Sequence, residues 1–95
     1  MIPVRDYKVM YYTYVLKSKT GGRCYTGSTN DLRKRLKLHN AGKSNFTKKY
    51  IPYEIIYYEA CVNEQDARSR EKYLKSGMGK RYLKSRLGRF LTLTG

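Results

Sequence analysis

The chain has 95 residues, enough for one domain around one modest core. Its 21 lysines and arginines against 7 acidic residues give a net charge of +14, and the basic residues run through the whole chain. A surface that positive suits a polyanion, and nucleic acid over membrane, because no segment pairs a basic face with a broad apolar one.

No apolar run is long enough to span a bilayer and Met1 opens a mixed, charged segment, so no membrane contact and a cytoplasmic protein are expected. Cys24 and Cys61 are too few and too isolated for a zinc site or a disulfide framework. The whole chain reads as a single domain with its core at about 10–87 and with 1–8 and 88–95 loosely ordered.

Val9 to Lys17 is rich in β-branched and aromatic residues and predicts a strand. It is apolar on both faces, so it belongs in the middle of a sheet. Lys19-Thr20-Gly21-Gly22 is a turn, and Arg23 to Thr26 returns as a second strand. Gly27 is expected at a positive φ before a helix that Asn30 or Thr29 caps, with Asp31 in its first turn. That helix ends near Asn40, with Gly42 as a stop.

Leu32 and Leu36 mark its buried side; Arg35 and His39 lie beside them, and Arg33, Lys34 and Lys37 point to solvent. Ala41 to Pro52 is a polar loop that Phe46 and Tyr50 are expected to fold back onto the body. Pro52 suits the start of a third strand, Tyr53 to Ala60. Asn63 then caps a helix from about Glu64 to Ser76, which Gly77 and Gly79 break before a short helix from about Lys80 to Leu87. The sum is an α+β fold: a three-stranded antiparallel sheet flanked by helices in the order β-β-α-β-α-α.

Glu71 is the sharpest anomaly. It follows Ala67 by four residues and precedes Leu74 by three, on the face that should bury. A carboxylate there must be neutralised, paired with Arg35, Arg70 or another base, or bound to a cation. Oxygen donors suit Mg²⁺, which one carboxylate and a substrate phosphate can hold.

Tyr12-Thr13-Tyr14, ten further residues, then Tyr25-Thr26-Gly27 resembles the paired signature of GIY-YIG nucleases. An arginine ten residues after Tyr25 (Arg35), His39 four later and Glu71 on a later helix complete the order. The likeness runs from about Met10 to Leu87 and is nearest the small stand-alone domains similar to the N-terminal nuclease domain of the ABC excinuclease. Tyr12 stands where the signature has Gly, Thr13 and Thr26 where it has Ile, and Ser28 where some relatives carry Lys.

The resemblance implies a metal-dependent DNA endonuclease that hydrolyses phosphodiester bonds in repair, recombination or processing. Its catalytic set would be Tyr14, Tyr25, Arg35, His39 and Glu71. Glu71 would hold one Mg²⁺ or Mn²⁺, Arg35 would contact phosphate through its planar fork, and Tyr14 would position water or phosphate. His39 has the better unperturbed pKa for a base and the family suggests Tyr25; the residues alone leave both open. Lys43, Lys48, Lys49, Lys80 and Arg81 are expected to hold the DNA backbone without reading bases. No second DNA-binding domain is apparent, so sequence specificity would fall to an unknown protein partner. The other reading is a nucleic-acid-binding module on the same fold, weakly active or inactive.

Overall fold

A computed structural model describes residues 9–94. The lead-in expected over 1–8 lies outside them. Strand β1 (Tyr11–Ser18) is central, with β2 (Cys24–Thr29) and β3 (Tyr53–Cys61) antiparallel on either side in the order β2-β1-β3. The two-sided apolar pattern explains the central place. Tyr14 and Leu16 bury on one face, Thr13 and Val15 on the other.

Helix α1 (Leu32–Asn40) covers the Tyr14 face, where Leu32 and Leu36 pack against Tyr14, Leu16 and Tyr53. Helix α2 (Glu64–Lys75) covers the Thr13 face and buries Ala67 and Leu74. The Thr13 hydroxyl donates to the Ala67 carbonyl at 2.8 Å and pins α2 to the central strand. Two further helices follow, α3 (Gly77–Arg86) and α4 (Gly88–Thr94). Among the described residues no helix is long and apolar enough to cross a membrane.

Several local expectations are corrected. The α1 cap is Asp31, whose carboxylate accepts from the Lys34 amide at 3.0 Å; Thr29 instead accepts from the Asp31 amide at 3.1 Å and orients the cap. Strand β2 runs on to Thr29, so Gly27 lies inside it, opposite Tyr14. The glycines with positive φ are Gly22 and Gly42. Gly27 is needed for space: a Cβ there would sit 2.6 Å from the Tyr14 hydroxyl.

Gly77 and Gly79 start α3 and do not merely interrupt α2. Ser76 ends one helix and caps the next, its hydroxyl accepting from the Gly79 amide at 3.2 Å. Gly79 packs directly on the backbone of Tyr73 and Leu74, where no side chain would fit. The segment after Gly88, expected loose, is helical; Leu91 bonds back to Leu87, and Thr92 to the Gly88 carbonyl at 2.7 Å. Tyr50 packs on the core as expected, but Phe46 is 83% exposed because its neighbour Thr47 is the residue that buries. Both cysteines are free, Cys24 exposed and Cys61 half-buried.

Candidate active site

Four of the five expected catalytic residues meet on the α1 face of the sheet. Tyr14 comes from β1, Tyr25 from β2, and Arg35 and His39 from successive turns of α1. The Tyr14 hydroxyl lies 3.1 Å from His39 Nε2 and accepts from Arg35 Nε at 3.3 Å. The Tyr25 ring lies 5.0 Å from the His39 ring and 6.4 Å from that of Tyr14. A pocket of about 280 Å³ opens beside them, lined by Tyr25, Arg35, His39, Lys43 and Phe46 among others.

Each group is tuned by its surroundings. Burial pushes the Tyr14 phenol up, and the Arg35 hydrogen bond only partly offsets this. The Tyr14 contact in turn pushes Arg35 up, so the guanidinium stays charged. Burial, then the Arg35 charge, pushes the His39 imidazole down. His39 is 0% exposed, and both ring nitrogens are engaged: Nδ1 lies 2.8 Å from Thr47 Oγ1. Among the described residues no carboxylate pairs with Arg35.

Glu71 stands apart from this quartet. It borders a neighbouring hollow with Ser28, Arg68, Lys72 and Lys75. Strand β2 joins the two places, because Gly27 faces Tyr14 while the next residue, Ser28, lines the Glu71 hollow. Its negative charge still acts on Tyr14. The Glu71 side chain is 22% exposed and pairs with Lys75 at 2.6 Å, not with Arg35 or Arg70. Among the described residues no three His, Cys, Asp or Glu side chains cluster as a metal cage.

Of the five basic residues expected to hold DNA, Lys43 lines the pocket. Lys48 and Lys49 lie exposed on a single 3-10 turn after the loop, and Lys80 and Arg81 are exposed on α3. Two pocket-side residues escaped the sequence reading. Thr47, 0% exposed, holds the far side of His39. Phe46 stacks over Tyr25, with ring centroids 6.4 Å apart and planes at 28°. Both sit in a polar loop with no periodicity to mark them.

A three-stranded antiparallel sheet between helices, with two tyrosines, an arginine and a histidine gathered beside one edge strand, is the arrangement of a nuclease-type domain. The family model described as the GIY-YIG catalytic domain matches residues 10–85, and the chain belongs to the GIY-YIG family. Among its relatives are UPF0213 protein CPE1444 of Clostridium perfringens, 43% identical over 70% of this chain and 71% of that protein, and a UPF0213 protein of Bacillus pumilus, 40% identical over 70% and 67%. The solution NMR structure of UPF0213 protein BH0048 from Bacillus halodurans shares 32% identity over 80% of this chain and 83% of that one, with a TM-score of 0.49.

Proposed function

We propose that this protein is a divalent-metal-dependent endonuclease that hydrolyses phosphodiester bonds in DNA, in a repair, recombination or processing role. The observation that carries the reading is Arg35. Its guanidinium stands at the pocket, held by a neutral phenol, with no carboxylate pairing it among the described residues. An unmatched, permanently charged fork beside Lys43 suits a phosphate oxygen.

Tyr25 lines the pocket and is the better placed of the two candidate bases. His39 is sealed and kept neutral, so it supports Tyr14 and Tyr25 instead of meeting water itself. Tyr14 orients phosphate or water through its hydroxyl. Glu71 is the residue that would hold Mg²⁺ or Mn²⁺. Its only ion-pair partner among the described residues is Lys75, a side chain 52% exposed, and such surface pairs are worth little and break readily. With a single carboxylate, the remaining ligands would be water and substrate, as is usual for Mg²⁺. The bound ion would supply charge stabilisation at the phosphate. Lys43, Lys48, Lys49, Lys80 and Arg81 would hold the backbone without sequence preference.

The separation of Glu71 from the quartet favours the second reading, a nucleic-acid-binding module with little or no turnover. Nicking of supercoiled plasmid with Mg²⁺, Mn²⁺ or EDTA decides between them. The endonuclease reading expects nicking with either ion and none with EDTA. Glu71→Gln should lower the rate by about 10²-fold or more at an unchanged melting temperature. DNA binding without nicking under any ion would favour the module.

A further inference from the structure

The hydrogens along Thr47, His39 and Tyr14 can be counted. A neutral imidazole carries one N–H, and each hydroxyl carries one hydrogen. Three hydrogens therefore serve two contacts, Thr47 Oγ1 to Nδ1 at 2.8 Å and Nε2 to the Tyr14 hydroxyl at 3.1 Å. Both hydroxyls cannot donate to the ring, since that would leave it with no hydrogen at all. One hydroxyl hydrogen is left over, and it belongs either to Thr47 or to Tyr14.

The surroundings choose. Thr47 is 0% exposed, and His39 is the one side-chain partner of its hydroxyl among the described residues. A hydrogen left over there would be a buried donor with nothing to receive it, the costly case. The Tyr14 hydroxyl is flanked instead by Arg35 and His39, two residues that line the pocket. A hydrogen left over there can reach whatever the pocket holds.

We infer that Thr47 is a positioning residue: its hydroxyl donates to His39 Nδ1 and fixes the Nε2–H tautomer, so that the Tyr14 oxygen accepts from both Arg35 and His39 and its hydrogen is free to donate to a phosphate oxygen in the pocket. The last step rests on the endonuclease reading; the tautomer does not. The fold places Thr47 to do this. Its amide bonds to the Ser44 carbonyl at 3.2 Å and its carbonyl accepts from the Tyr50 amide at 3.1 Å, so the loop holds the hydroxyl over the ring.

His39 is the single histidine of the chain, so its ring nitrogens can be read without ambiguity by long-range ¹H–¹⁵N correlation. The unliganded protein should show Nε2 protonated and Nδ1 bare. Nδ1 protonated with Nε2 bare would overturn the inference. Thr47→Val keeps the shape and removes the donor. It should lose the single-tautomer signature and lower plasmid nicking by about 10- to 100-fold, the range seen when a group that orients another is lost. Thr47→Ser should restore both. A folded Thr47→Val protein with unchanged ring signals and nicking would overturn the positioning role. Should Thr47→Val fail to fold, the ring signature of the wild type and of Thr47→Ser decides. Should the wild type nick nothing, the ring signature still tests the tautomer, and only the endonuclease reading falls.

Discussion

Two arginines on opposite faces of one sheet make a useful comparison. Arg70, on α2, donates through Nε to both oxygens of Glu59 at 2.9 and 3.0 Å. Its guanidinium lies 4.9 Å from the Tyr73 ring and 4.8 Å from the Tyr82 ring. Tyr57 donates to Glu59 at 2.8 Å and meets the Tyr82 hydroxyl at 3.0 Å, and burial pushes the Tyr57 phenol up. Every charge in this group is answered inside the fold. Arg35, on α1, also lies against a tyrosine, but the phenol it meets is neutral. Similar residue types thus give opposite results. A matched arginine ties β3, α2 and α3 together, and an unmatched one keeps its charge for a ligand.

The contrast can be sharpened by substitutions of decreasing effect. Gly27→Ala should cost about 2–3 kcal/mol, because its Cβ meets a Tyr14 hydroxyl held by two partners and 2.6 Å away. Urea unfolding checks this, and an unchanged midpoint would show that Tyr14 shifts freely. Arg70→Ala should cost about 2 kcal/mol, since it strips a half-buried carboxylate of its charge partner. In a domain of this size that lowers the melting temperature by roughly 8–16 °C.

Acid should act through His39. Its folded pKa is depressed, so the unfolded chain takes up the proton first, near the ordinary value of about 6.5. Stability is then full above that pH and declines as pH falls through it. Urea midpoints at pH 7.5 and 5.5 test the sign, and a higher midpoint in acid would contradict it. Lys75→Ala should cost less than about 0.5 kcal/mol, as an exposed partner in a surface pair does. It frees Glu71, so nicking with Mg²⁺ should not fall.

Strands and helices were legible wherever periodicity spoke. The two-sided apolar run around Tyr14 and Val15 gave the central strand, and the Leu32–Leu36 spacing gave the inner face of α1. The ordered set of Tyr14, Tyr25, Arg35 and His39 was legible because strand alternation and helical turns keep those residues on one face. Contacts across loops were not. Thr47 reaches His39 through a polar segment whose path no pattern encodes. The cap fell to Asp31 over Asn30 and Thr29 because β2 pairs with β1 as far as Thr29, which leaves Asp31 as the residue that can still accept at the helix start. The helical face of Glu71 was readable, but its partner was not, since several bases were within sequence reach and Lys75 lies one turn on.

The central claim is that Arg35 is reserved for a phosphate while Arg70 serves the fold. Arg35→Ala and Arg70→Ala, each measured for thermal melting and for Mg²⁺-dependent plasmid nicking on one preparation, test it most directly. Arg35→Ala should melt within about 3 °C of the wild type and nick about 10²–10³-fold more slowly. Arg70→Ala should melt well below the wild type yet, kept below its own transition, nick near the wild-type rate. A well-folded Arg35→Ala protein that nicks DNA as fast as the wild type would contradict the account.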